Sequence, residues 1–287
     1  MNWVPLLFIN DVCHRLPSSA LKPVSQLSGS WSKFGAEHGE KRREFDFRCE
    51  LHGNQEVSYS LWGTERAYLR KVTVEDLNLE FDQITSFAFN SALPNDHDHR
   101  VFLRVFERDI LPTIEPLVTN CCWRHDYKLY RESSDQNRIL FNAFKNCPGF
   151  NKITVEEQGE ESRDFIARQV QLGNVQTLNL LGKWPEPEKL AGTLKIFVSS
   201  TRFHALSSSE FLPNDCELFE LFLERALANE LKRGARIRAS GTNFDTSPVF
   251  ALDPQCHDDS EEDKWRIPDS NLRIAVRNGY GMLVEVE

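Results

Sequence analysis

Between residues 150 and 240 the chain runs through one pattern again and again: a short apolar run, a turn, then an amphipathic stretch. Lys152 to Glu156 reads as a strand, and Phe165, Ile166 and Val170 mark a helix that stops at Gly173. Val175 to Leu180 is the next strand and Pro185 to Ser199 the next helix. Arg202 to Leu206 and Asp215 to Arg233 form a further pair, closed by Gly234, and Arg236 to Ala239 is the strand after it. The strand centres Ile153, Thr177 and Phe203 lie 24 and 26 residues apart. A βα unit of that length cannot bury its apolar face alone, so neighbours are expected to stack, with strands lining a curved parallel sheet and helices outside. A conventional α/β domain with a doubly wound sheet is the competing reading.

Less regular units flank this stretch. Ile84 to Phe89 reads as a strand, followed by Leu103, Phe106, Ile110, Ile114 and Leu117 at helical spacing, with Pro112 and Pro116 bending or ending that helix. Trp123 to Tyr130 is a strand, and Arg138 to Cys147 a helix ended by Pro148-Gly149. Earlier, Phe45, Phe47, Cys49 and Leu51 alternate with polar residues. After a turn at His52-Gly53-Asn54, Val57, Tyr59 and Leu61 do the same, the pattern of a half-buried hairpin. A further strand is read through Tyr68 to Val74. At the far end Leu272, Ile274 and Val276, then Asn278-Gly279, then Met282, Val284 and Val286 spell a second hairpin. The acidic run Asp258 to Asp263 is read as an exposed loop, because its five negative charges repel one another.

Val175-Gln176-Thr177-Leu178-Asn179-Leu180 resembles a degenerate leucine-rich repeat. The fold class expected is therefore α/β, an irregular βα solenoid with flanking β-hairpins. The resemblance implies a recognition surface on the concave strand face or the rim loops, with Arg124, Glu156, Gln176 and Arg202 as candidate substrate-binding residues.

The N-terminus calls for a separate account, because it is apolar without being a targeting signal. The run Leu6 to Ile9 is cut by Asn10 and Asp11, and no window approaches the ~18 apolar residues of a membrane span. Instead Pro5 suits a first helical turn, after which Phe8, Ile9, Val12 and Leu16 share a face until Pro17 stops the helix. Ser18 or Ser19 caps a second helix carrying Leu21, Val24 and Leu27, with Pro23 placed near its first turn; Gly29 and Ser30 break it. A third segment runs from Trp31 through Phe34 toward His38. Three short helices in about forty residues are too few to fold well alone.

The order Val4-Pro5, apolar face, Leu16-Pro17, Leu21, Val24, Leu27, Trp31 resembles the F-box motif. That resemblance covers residues 1–40, leaving 41–287 as the recognition domain. It implies a three-helix unit docking on the adaptor Skp1, and through it on a cullin, while the remainder of the chain recruits a target protein. Carried over by position, Pro5, Leu6, Phe8, Ile9, Leu16, Pro17, Leu21 and Trp31 are expected at or just beneath the adaptor-binding surface. Together with the repeat-like body, the chain resembles the expanded F-box families of nematodes, whose members act as substrate receptors of SCF ubiquitin ligases. An ordinary internal helical cap produces similar apolar spacing.

Charge and cysteine usage fit that picture. Net charge is −9, an acidic excess that argues against broad binding to nucleic acid, and Lys41-Arg42-Arg43 is too short a run to reverse it. Seven cysteines, an odd number in a long chain, read as reduced thiols of the cytoplasm or nucleus. No constellation supplies catalytic chemistry or a cofactor. Cys121, Cys122 and His125 lack zinc-site spacing, and Cys256-His257 adjacency does not set a thiolate against its base. His97 and His99 flank Asp98 at an expected helix start, as a cap, and neither a phosphate loop nor a nucleophile elbow occurs. A standalone interaction domain unconnected to a ubiquitin ligase is the main alternative, and a hydrolase with dispersed site residues the last.

Overall fold

The computed structural model describes residues 4–52, 56–64, 71–89, 99–125, 134–209, 215–239, 262–266, 272–277 and 281–286. The fold is mixed α/β, and the chain divides into two compact units, Met1–Gln136 with Cys147–Phe150, and Asn137–Asn146 with Asn151–Glu287.

The first unit opens with helices α1 (Leu6–Arg15), α2 (Ser18–Ser25) and α3 (Ser30–Lys41). Strands β1 (Glu44–His52) and β2 (Glu56–Gly63) follow as the expected hairpin, paired from Phe45 opposite Gly63 to His52 opposite Glu56. Alternation fixes its faces: Phe45, Phe47, Cys49 and Leu51 are buried and the residues between them are half-buried. The outer edge of β2 takes β3 (Lys71–Val72) at one end and, at the other, β5 (His99–Phe102). On its other side β1 runs parallel to β4 (Gln83–Phe89), which runs parallel to β6 (Val118–His125). Phe47, Phe87, Phe89 and Trp123 pack ring against ring across these strands, with centroids 4.1 to 4.6 Å apart.

The helical stretch before β6 is broken into α4 (Leu103–Val105), a π turn (Phe106–Ile110), α5 (Leu111–Ile114) and a final 3₁₀ turn (Glu115–Leu117). Pro112 and Pro116 have no N–H to donate, so the regular ladder cannot close there. The helix begins only at Leu103. His99 therefore opens a strand instead of capping a helix, and His97 and Asp98 lie outside the described residues.

The second unit holds most of α6 (Ser134–Phe144) and of β7 (Phe150–Glu156), followed by α7 (Glu160–Leu172), β8 (Thr177–Leu181), α8 (Glu188–Ser199), β9 (Ala205–Ser208), α9 (Asp215–Leu227) and β10 (Arg236–Ala239). Strands β7 to β10 are parallel and neighbours in chain order, α7 packs on α8, and α8 on α9. A doubly wound sheet interrupts the order of its strands, and this stretch does not.

Within this array, polar side chains tie some neighbouring elements together. Gln169 of α7 donates to the Phe144 and Lys145 carbonyls that end α6, at 3.2 and 2.9 Å. Arg225 of α9 likewise caps Val198 and Ser200 at the end of α8. On the strands, Ser207 donates to Asn179 at 2.6 Å and Asn179 to Thr154 at 3.0 Å. Carbonyls at the ends of α6 and α8 are thus satisfied by side chains of α7 and α9.

Beyond β10 the sheet turns antiparallel with β13 (Gly281–Val286), β12 (Leu272–Arg277) and β11 (Glu262–Arg266). The C-terminal hairpin of β12 and β13 is as expected, though its turn at Asn278-Gly279 lies outside the described residues. Several expected boundaries shift. β6 starts at Val118 instead of Trp123, α6 spans Ser134–Phe144 instead of Arg138 to Cys147, and α8 starts at Glu188 instead of Pro185. A 3₁₀ turn at Val74–Asp76 cuts short the strand read through Tyr68 to Val74. The acidic run is not loop throughout, since Glu262 and Asp263 begin β11. The strand expected from Arg202 starts at Ala205, and the helix expected to Arg233 ends at Leu227 with Asn229 at φ 57°.

Candidate functional site

The three N-terminal helices carry a small core of their own. Ile9 and Cys13 of α1 and Leu21 of α2 are buried together, and Val4, Leu16, Val24, Trp31 and Phe34 pack around them. The buried stripe of α1 is therefore Ile9 and Cys13, four residues apart, with Leu16 following at the helix end. Gly35 lets α2 and α3 pack closely. A Cβ there would lie 2.8 Å from the Ser25 nitrogen and from Val24 Cγ1. Gly29, at φ 69°, supplies the sharp entry into α3.

Packing the stripe inward leaves the first turn of α1 facing out. Leu6 is 58%, Leu7 84% and Phe8 54% exposed, and Pro5 before them and Pro17 after the helix are exposed as well. Of the eight residues expected at the adaptor surface, Pro5, Leu6, Phe8 and Pro17 are exposed, Leu16 and Trp31 half-buried, and Ile9 and Leu21 lie in the core beneath. Phe8 does not share the buried face with Ile9, because adjacent helical residues point about 100° apart. Leu7, which the motif pattern did not single out, is the most exposed large apolar side chain among the described residues. Leu27 belongs to no helix: α2 ends at Ser25, and Pro23 sits in its second turn, not its first.

This small bundle is fastened to the rest of the first unit by charged and polar groups at the end of α1. Arg42, the residue after α3, is buried and donates to the carbonyls of Cys13 at 2.6 Å, Leu16 at 2.5 Å and His14 at 3.1 Å. A cation set there satisfies the orphan carbonyls of α1 and complements its dipole. The His14 carbonyl also accepts from Gln83 Nε2, and the His14 ring donates to the Glu80 carbonyl at 2.9 Å. Next to these, Arg43 forms a two-pronged pair with buried Asp82 at 2.9 and 2.6 Å, and the Asn78 amide donates to the same carboxylate at 2.7 Å.

His38 of α3 is fully buried, donates from Nε2 to Asn10 Oδ1 at 2.8 Å, and meets the Phe81 ring edge-on at 5.1 Å. Its Nδ1 has no hydrogen-bond partner among the described residues. Burial, followed by the charge of Arg42, lowers its pKa to about 4, so the ring is neutral near pH 7. Burial likewise raises the thiol of Cys13 and lowers the imidazole of His14.

The four residues expected to bind substrate do not converge. Glu156 ends β7, where its side chain packs against Gly182 and burial raises its carboxyl. Gln176 precedes β8 and Arg202 lies in the turn before β9, donating to Asn174 Oδ1 at 2.7 Å, so both sit off the strands at the opposite end. The side chain of Arg124 lies outside the described residues.

Nothing among the described residues gathers metal ligands: no group of three or more His, Cys, Asp or Glu side chains comes together. Cys121 is buried on β6 with its thiol raised well above the ordinary range, the opposite of an activated nucleophile. Cys147 is also buried and pushed up to about 12. No helix among the described residues is long and apolar enough to cross a membrane. No family model matches the chain, and neither does any curated protein or solved structure.

Proposed function

We propose that this chain is a substrate-recognition subunit of an SCF-type ubiquitin ligase. Its N-terminal helices are an F-box-like unit that docks on Skp1, and its βα array is a leucine-rich-repeat-like solenoid that holds a target protein. The chain catalyses nothing itself; it joins the target to a cullin through the adaptor.

One observation carries this reading: Leu6, Leu7 and Phe8 stand exposed on a helix whose other face, Ile9 and Cys13, has its own core. Three large apolar side chains in one turn are costly to leave in water, and such patches mark protein interaction sites. The order of β7 to β10 and the side-chain ties from α7 to α6 and from α9 to α8 support the repeat body.

The reading is tested by mixing the purified full chain with purified Skp1 and following co-elution, beside Pro5→Ala/Leu16→Ala checked by circular dichroism to be folded. Co-elution of the wild type that the variant loses supports an adaptor-docked receptor. Separate elution of the folded wild type at micromolar concentration overturns it and leaves a standalone interaction domain.

A further inference from the structure

The register of the strands that close the second unit gathers basic residues into alternate rows. Residues directly opposite one another in an antiparallel pair fall on the same face, and alternate rows share that face. The register sets Arg236, Glu285, Arg273 and Arg266 in one row, Arg238, Leu283, Ala275 and Lys264 in the next alternate row, and Gly281, Arg277 and Glu262 in the third. These rows hold six basic residues, Arg236, Arg238, Lys264, Arg266, Arg273 and Arg277, against two acidic ones, Glu262 and Glu285. The rows between them are apolar but for Asp263: Ile237, Val284, Ile274 and Trp265, then Ala239, Met282 and Val276. Val284 and Ile237 of those rows are buried in the core.

The same rows continue through the parallel strands. Arg236 is in register with Ala205, Thr177 and Lys152, and Arg238 with Ser207, Asn179 and Thr154. Arg236 and Arg238 are exposed beside the small residues Ala205 and Ser207, next to the hydroxyl and amide groups of the Thr154, Asn179 and Ser207 ladder. Arg236 meets Glu285 only at 4.0 Å, and Arg238 has no ion pair among the described residues. A local excess of four positive charges in a chain of net charge −9 is held against the overall balance. Like charges on adjacent strands repel, so the arrangement is stabilised when an acidic group sits over them.

From this we infer that the basic face of β10 to β13 is an interaction surface for an acidic, extended segment of a partner protein. The spacing fits such a segment. Alternate side chains of an extended chain repeat at ~6.8 Å, the interval between Arg236 and Arg238 along β10. Arginine forks donate paired hydrogen bonds to carboxylates, and the neighbouring hydroxyl and amide ladder offers donors to a peptide backbone. Nucleic acid fits less well. The basic rows hold no aromatic residue on which a base would stack, and the net negative chain repels a phosphate backbone.

The test uses the full chain and a fluorescein-labelled 12-residue peptide of alternating Glu and Ser, with an alternating Gln and Ser peptide as control, read by fluorescence anisotropy. Binding of the Glu peptide alone is expected, weakening about tenfold or more as salt rises from roughly 0.05 to roughly 0.5 M. Arg236→Glu/Arg238→Glu abolishes it, Arg236→Lys/Arg238→Lys retains a part, and Arg104→Glu/Arg108→Glu in the first unit, with the same change in net charge, leaves it intact. Leu7→Asp/Phe8→Asp also leaves it intact, which separates this surface from the adaptor reading. Circular dichroism confirms folding throughout. No binding at the lowest salt, equal weakening by both Arg-to-Glu variants, or tighter binding of a 20-nucleotide single strand than of the peptide overturns the inference.

Discussion

Arg42 ties the end of α3 to the end of α1, and its replacement by Met puts a number on that tie. The guanidinium donates three bonds to the last turn of α1, to Cys13, His14 and Leu16. Charge-assisted bonds of this kind contribute about 1.5 to 3 kcal/mol each against water. Part of that sum is offset, because burying the cation is itself costly, which is why its pKa is lowered. Met keeps the aliphatic stem and removes charge and donors together. Water can reach some of the freed carbonyls once α1 frays, so the net loss is about 2 to 4 kcal/mol. Hydrogen exchange measured on the full chain is the right assay, since it reports α1 separately from the sheet. The amides of α1 from Asn10 to Leu16 should exchange roughly 30-fold to several hundred-fold faster, each tenfold being about 1.4 kcal/mol, with β8 unchanged. Arg42→Lys should fall between, as a point charge cannot span three carbonyls. A change below about fivefold in Arg42→Met would refute the view that this cap holds α1 in place.

Other consequences are as direct. His38, neutral when folded, has its pKa lowered to about 4 against 6.5 when unfolded. The unfolded chain therefore takes up a proton first as pH falls, and stability present above pH 6.5 is lost progressively toward pH 4, on the order of 2 to 3 kcal/mol. Urea titrations at pH 7 and pH 4.5 should show a loss that His38→Gln reduces; an equal loss in both chains contradicts the assignment. Two glycines of α3 form a matched pair. Gly35→Ala drives a methyl into the Ser25 backbone and should cost about 1 to 2 kcal/mol even after its helix propensity gain. Gly39→Ala, with nothing within 4 Å, should stabilise by up to about 1 kcal/mol. Thermal melts of the two variants moving in the same direction would contradict this packing. Asn179→Ala removes the link between Ser207 and Thr154 and should cost about 1 kcal/mol in chemical denaturation.

The sequence made the elements with strong periodicity legible, because burial of one face leaves a mark at every second or fourth residue. Phe45 to Leu51 and Arg236 to Ala239 show that mark plainly, and both strands lie where alternation puts them. Boundaries set by turns were less legible: Arg202 and Phe203 read as strand, yet the chain turns through them before β9. At the N-terminus the apolar spacing located α1 but not its orientation. Phe8 and Ile9 score alike in a pattern, and only packing of Cys13 against Leu21 decides that Ile9 turns inward and Phe8 outward. The fastening at Arg42, His14 and Gln83 was hidden for a different reason, since it joins residues up to 69 positions apart through backbone carbonyls that carry no sequence signature. The basic face of β10 to β13 escaped notice because its cations come from strands separated in the chain, and only the register brings them together.

The most direct test of the central claim is a calorimetric titration of the full chain with Skp1, alongside Leu7→Asp/Phe8→Asp. Both residues are exposed, so the variant should fold as the wild type does. An account in which the first turn of α1 is the adaptor surface predicts micromolar or tighter binding by the wild type, weakened more than about tenfold by the variant, as expected for central apolar anchors. Wild-type binding that the variant keeps in full, or no binding by either, would contradict it.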